Sequence, residues 1–237
     1  MSNVYNKMSK PKSNWYLSFD CATKSLAVSF AYIDIEGIHI AQEKLSTVDD
    51  IPIIEKISTY REDLLKYFRF IKGWVVNIID YMPKKRNGGP PTTITTIMKI
   101  IALKKVIQQI MEYVHPFVNI ENEKINIIVE FQFSVNGASR LVEISLLSLL
   151  SEHHIYTINP KLKNKLSFSL EPESRHEIFI DRFSSRYTAA KNHSLFCFLY
   201  IAKNFRFDLP KLPIKGQMKD LADSFMQILA HIKRGNF

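Results

Sequence analysis

Cysteine is scarce in this chain of 237 residues: only Cys21 and Cys197 occur, far apart and without CxxC spacing. Two such residues cannot build a zinc site by themselves, and their scarcity predicts a reduced intracellular protein. Long apolar runs are missing too. The best stretches, Leu195 to Ala202 and Leu146 to Leu150, fall well short of the roughly 20 residues that a membrane-spanning helix needs. Residues 1–14 are polar and lysine-rich with no hydrophobic centre, which argues against a signal peptide or anchor and predicts a flexible basic tail. Neither an internal repeat nor a low-complexity tract is present. Acidic residues are outnumbered, 23 Asp and Glu against 32 Lys and Arg, giving a formal charge of +9. That balance favours an anionic partner, nucleic acid or an acidic surface. A hydrophobic fraction of 46% supplies enough core for one large domain over residues 15–237.

Along the chain, Trp15 to Tyr32 reads as two strands around a short polar turn, and Ile38 to Leu45 as a third, so the chain opens as an antiparallel meander. From Tyr60 to Met82 the apolar residues Leu64, Leu65, Phe68, Ile71, Val75 and Ile78 recur at three- and four-residue steps, which predicts a helix. Lys84 to Pro91 then combines basic residues, glycine and proline in an exposed loop. A second helix follows from Thr92 to His115, with Ile100, Leu103, Ile107, Ile110 and Val114 as its apolar stripe. Lys124 to Phe133 is nearly continuously apolar, the pattern of a strand buried on both faces. After it come a helix over 138–153, a short strand over 155–158, an irregular charged stretch, a helix over 185–204 and a last helix over 215–233. This alternation of helix and strand predicts an α/β protein.

Three places hold acids that break these patterns. Asp20 ends the first strand, where it can simply cap a turn. Glu130 interrupts the buried strand, where an unpaired carboxylate is costly, so it needs a cationic partner or a place at the sheet's end. Asp220 and Asp223 lie three apart on the last helix and share a face bordering core and solvent, with Gln227 one turn further on. Singly, each has an ordinary structural explanation. Gathered at one spot they would repel, each close pair costing about 4 kcal/mol at 4 Å and an effective dielectric of 20. Divalent cations relieve such repulsion, and oxygen-only ligands select Mg²⁺ or Mn²⁺ over zinc. Two such ions can drive in-line phosphodiester hydrolysis, which makes a basic protein with this site a nuclease candidate.

The motifs FDCATKSLAVSF (19–30), IIVEFQF (127–133) and QMKDLADSFMQIL (217–229) together resemble the RuvC-type Holliday-junction resolvases of the RNase H-like superfamily, most closely those of large eukaryotic DNA viruses. The resemblance covers strand one, 124–170 and 185–231. It implies an α/β fold with a mixed five-stranded sheet flanked by helices and the first and fourth strands adjacent; residues 51–91 depart from the family's compact bacterial form and read as a helical insertion before the fourth strand. It implies Asp20, Glu130, Asp220 and Asp223 as catalytic metal ligands for Mg²⁺, in a homodimer that nicks four-way DNA junctions. Viral kinship would place the protein in the host cytoplasm. The family's glycine-containing first turn is replaced by Cys21 to Ser25.

Basic residues complete the expectation. Lys161, Lys163 and Lys165 follow the short strand where the family carries cations beside the scissile phosphate. Arg186 and Lys191, in RYTAAKN, are similar to the family's basic helix start. A cation there would stabilise charge developing on phosphate oxygen, and Lys165 and Lys191 are the preferred catalytic pair. Arg140, with Asn136 and Ser139 at a helix start, is a candidate phosphate contact. Leu141, Ile144, Leu146, Leu147, Leu149 and Leu150 cover more than one helix face, which means deep burial or a self-complementary seam; the resemblance selects the seam. None of the seven histidines has paired metal-ligand spacing. Two alternatives remain open: the same fold acting on flaps or RNA:DNA hybrids, and a non-catalytic nucleic-acid-binding protein.

Overall fold

The computed structural model describes residues 13–22, 25–38, 40, 65–84, 95–118, 123–131, 137–162, 186–212 and 215–236. Five strands, β1 (Trp15–Cys21), β2 (Ser25–Ile33), β3 (Phe68–Asn77), β4 (Asn126–Glu130) and β5 (His154–Ile158), form one sheet in the order β3-β2-β1-β4-β5. The pairs β1–β2 and β2–β3 run antiparallel, whereas β1–β4 and β4–β5 run parallel. Four helices, α1 (Thr96–Val114), α2 (Gly137–Leu149), α3 (Arg186–Asn204) and α4 (Lys215–Asn236), cover its two faces. This is the mixed five-stranded sheet flanked by helices that the resemblance implies, with the first and fourth strands adjacent.

Alternation along β1 distributes the two cores. Trp15, Leu17, Phe19 and Cys21 point into a cluster with Leu103, Val106 and Ile110 of α1 and Val142 and Leu146 of α2. Tyr16 points the other way, into a cluster with Phe198 of α3 and Leu221, Phe225 and Ile228 of α4. Ser18 and Asp20 follow Tyr16 in period and so face α4. Residues 221–228 of α4 are buried on every side, because α3 covers the helix from outside while the sheet holds it from within. The expected apolar stripe is therefore a nearly complete apolar girdle. Its few polar members, Asp223, Ser224 and Gln227, all have work to do against the sheet or α3.

Three expectations need correction. Residues 68–77, predicted as helix, form the edge strand β3. Between Phe30 and Ala31 the β2–β3 register shifts, leaving Ile71 as an extra residue of β3. Phe68 and Phe70 join the α3–α4 core, Ile71 and Trp74 the opposite one, and Val75 the first again. This β-bulge interrupts the period of two and imitates helical steps of three and four. In the expected third strand, Ile38 closes a short helical stretch over 35–38 and Ile40 is helical too; 39 and 41–45 lie outside the described residues, as do 51–64 and 85–91 of the expected insertion and residues 1–12 of the basic tail. Ser13 and Asn14 are not tail. The Ser13 hydroxyl accepts from the Trp15 amide at 3.1 Å, its carbonyl accepts from Asn126 at 2.6 Å, and the Asn14 carbonyl accepts from the Ile33 amide at 2.8 Å.

One glycine sets how closely α4 approaches the sheet. A Cβ on Gly73 of β3 would lie 2.7 Å from Leu221 Cδ1 and 3.0 Å from Phe70 Cζ. Leu221 is fully buried beside Asp220 and has no room to retreat. We expect Gly73→Val to cost about 1–3 kcal/mol through overpacking, measured by urea unfolding; an unchanged midpoint would show that α4 sits less tightly than described. At the other end of α4, His231 packs on Tyr156 at 4.3 Å between ring centroids, with Tyr16 at 6.4 Å. Burial, and then the Arg234 charge, push its pKa down to about 4. The unfolded chain takes up this proton near pH 6.5 and the folded chain does not, so stability falls as pH drops from about 6.5 towards 4. His231→Phe should flatten that part of the pH–stability curve.

Candidate active site

The parallel register of β1 and β4, with Phe19 opposite Val129, carries Asp20 and Glu130 side by side to the same end of the sheet. Alternation turns both towards α4: Phe19 and Val129 belong to the α1–α2 core, Tyr16 and Ile128 to the α3–α4 core. Glu130 is the last residue of β4 and half-buried, so the buried strand is shorter than its apolar run and the carboxylate marks its end. Asp220 and Asp223, one helical turn apart on α4, point towards the same place.

A lysine joins these elements. The Lys191 ammonium, from the second turn of α3, lies 2.6 Å from Asp220 Oδ1, 3.3 Å from Asp223 Oδ2 and 3.9 Å from Asp20 Oδ2. Burial works against its charge, but Asp20, Asp223 and Asp220 outweigh that and hold its pKa well above the ordinary lysine range. Three of the four sequence-predicted acids thus converge on one cation, although about 200 residues separate Asp20 from the other two. Asp223, with a side chain only 2% exposed, depends on this compensation most, since a buried carboxylate is stable only when paired.

The fourth acid is held by a different device. Gln227 donates from Nε2 to Glu130 Oε2 at 3.0 Å, while its Oε1 accepts from the Ser18 hydroxyl at 2.9 Å. The chain Ser18–Gln227–Glu130 therefore fixes both ends of the amide and aims the carboxylate. Beside it, Ser29 and Ser224 share a hydrogen bond at 2.6 Å, a second polar tie between sheet and α4. Ser18 and Gln227 are the residues that sequence reasoning passed over as site members. The available signal was polarity in the wrong place: Ser18 shares a strand face with Tyr16, and Gln227 lies inside the apolar girdle of α4.

The remaining candidates divide. Lys161 follows β5 at the same sheet end as Glu130 and is exposed, its backbone amide donating to Asn159 Oδ1 at 2.9 Å. Arg140 faces its own chain: Nη1 lies 2.6 Å from Oε1 of the buried Glu143, and the guanidinium stands over the Phe131 ring at 4.9 Å. Arg186 opens α3. Lys163, Lys165 and Asn136 lie outside the described residues. Within the expected seam, Leu146 and Leu150 are buried in the α1–α2 core and Ile144 is 51% exposed.

In ligand type the site suits a hard divalent cation: the converging groups are carboxylates, and the nearby Cys21 thiol is kept protonated by burial and then by Asp20 and Glu130. In spacing it is set for an ammonium. Among the described residues, no group of three or more His, Cys, Asp or Glu has the arrangement of an assembled metal site, and Lys191 stands where three of the carboxylates meet.

No family model matches the sequence, and no curated protein does. Solved structures of similar outline exist. RuvC from Thermus thermophilus, in a structure of the protein and in one of its complex with a Holliday junction substrate, aligns at TM-score 0.47 and 10% identity over 93% of this chain and 96% of that one. The yeast mitochondrial Holliday junction resolvase Ydc2 aligns at TM-score 0.45 and 10% identity, over 94% and 83%.

Proposed function

We propose that this protein is a Holliday-junction resolvase, a metal-dependent endonuclease that cuts four-way DNA junctions. The observation that carries the reading is the convergence of Asp20, Asp220 and Asp223, from β1 and α4, on a point within 3.9 Å of one ammonium nitrogen, with Glu130 aimed from the same sheet end. A fold does not gather partly buried like charges without use for them or a device to hold them. The four acids would hold Mg²⁺, or Mn²⁺ in its place, and such an ion supplies a nucleophilic water and stabilises charge on phosphodiester oxygens.

The chain's own groups have separate tasks. Ser18 and Gln227 keep Glu130 in one orientation, so that little reorganisation is needed when charge develops. Lys191 offsets the field of the three aspartates, and Lys161 offers an exposed cation to a phosphate at the same sheet end. The net charge of +9 draws DNA to the protein without selecting sequence. The homodimer belongs to this reading: Ile97, Ile101 and Ile144, 68%, 44% and 51% exposed on α1 and α2, offer apolar surface to a second copy. Kinship with viral versions and a host-cytoplasm location are proposed on the sequence motifs alone.

The test is cleavage of a mobile four-way junction by purified protein with Mg²⁺, beside flap, RNA:DNA hybrid and linear duplex. The junction should be cut into nicked duplexes in preference to the others, and Asp20→Asn or Asp223→Asn should lower the rate by about 100-fold or more while junction binding persists. Full activity in either variant would remove the assigned site, and preference for flap or hybrid would move the same chemistry to another substrate. Gln227→Leu should cost about 1–3 kcal/mol by stranding Ser18 and Glu130 and slow cutting roughly 10- to 100-fold. One observation favours a second reading: Lys191 already compensates three of the acids, as in a purely structural ion-pair cluster. DNA binding indifferent to chelator, with no Mg²⁺ or Mn²⁺ bound in calorimetry, would select that non-catalytic nucleic-acid-binding protein.

A further inference from the structure

We propose that Lys191 is a built-in competitor of the divalent cation: its ammonium keeps the carboxylates of Asp20, Asp220 and Asp223 together, and the metal enters only as that ammonium swings out. The inference rests on the metal-site reading given above and adds the element that regulates loading of the site.

The geometry supports exclusive occupancy. The ammonium is within 3.9 Å of an oxygen from each of the three aspartates, the closest contact being 2.6 Å to Asp220. A divalent ion drawing ligands from the same oxygens would lie beside a like charge in a partly buried site, where screening is weak. Exit is possible for the side chain alone. Lys191 is 21% exposed, so a path to solvent exists, and a flexible four-carbon stem lets the head move without moving α3. Ala189 and Ala190, both buried, keep the helix itself in place. With two mutually exclusive cations, the apparent affinity for metal is the intrinsic affinity scaled by the fraction of molecules in which the lysine is out. A docked fraction above about nine-tenths weakens the metal at least tenfold.

Isothermal titration of Mn²⁺ into the full chain without DNA tests this, comparing wild type with Lys191→Met, Lys191→Gln and Lys191→Arg. Met and Gln remove the charge and keep most of the stem; Gln also leaves the carboxylates a hydrogen-bond donor, should Met fail to fold. Circular dichroism and thermal melts in metal-free buffer establish folding, and the rise in Tm at saturating Mn²⁺ gives a second readout. The neutral variants should bind Mn²⁺ about tenfold tighter than wild type or better and gain more in Tm, while Arg should not. Affinity in folded neutral variants equal to or weaker than wild type would overturn the competition and leave the metal site standing. Absence of Mn²⁺ binding in wild type and in every folded variant would overturn the metal reading itself, and the competition with it.

Discussion

The ammonium of Lys191 among three aspartates is the interaction on which the arrangement of this molecule turns. Two of those aspartates lie on α4, one is the penultimate residue of β1, and the lysine projects from α3, so a single charge joins the central sheet to both helices of one layer. In a polar surface setting such pairs contribute little, because water screens them and the side chains lose entropy. Here Asp223 is almost wholly removed from water, and an uncompensated carboxylate at that depth would oppose the docking of α4. The cluster therefore imposes a condition more than it adds a bonus: α3 and α4 can pack only in the registers that bring Lys191 to Asp223.

Around that condition the apolar core supplies the bulk of the stabilisation and the polar ties supply the register. Phe198, Leu221, Phe225 and Ile228 bury against the sheet, but apolar packing alone tolerates sliding of a helix. Ser29 to Ser224 and Ser18 to Gln227 to Glu130 do not, since each buried polar atom left without a partner costs free energy. Gly73 contributes through what it lacks, leaving room for Leu221 where α4 crosses β3. The same residues that seat the helix thus position the carboxylates it carries.

Much of this was legible in the amino-acid order, and the failures have physical causes. Helices α1 to α4 announced themselves through apolar spacing, and β1, β2, β4 and β5 through short apolar runs bounded by turns. The bulge in β3 defeated that method, because a strand that changes face partway shows the same three- and four-residue steps as a helix. The acids were visible as intruders in apolar patterns, which is how charged groups that need a common partner look from one dimension. What joined them was visible only in part: Lys191 stood out through its likeness to the family's basic helix start, as a cation for phosphate, and only the crossing of α3 over α4 makes it the counter-ion of the acids. Gln227 gave a fainter sign, an amide in a stretch that is otherwise too apolar to leave it unpartnered.

The cluster also resolves a tension in the charge distribution. A chain with nine excess positive charges attracts polyanions over its whole surface, yet four carboxylates at one sheet end would repel a phosphate at the very place where the proposed chemistry needs it. An ammonium among the aspartates reduces that local negative field before any other cation arrives. It does so without filling the site permanently, because a lysine head on a flexible stem can exchange one set of oxygens for another. Phosphate oxygens are the natural second set. On the proposed function the ion-pair network and the chemistry are two states of the same acids: the compensation that makes the fold possible is of the kind that can be released when an anionic substrate and a divalent cation take over its two halves.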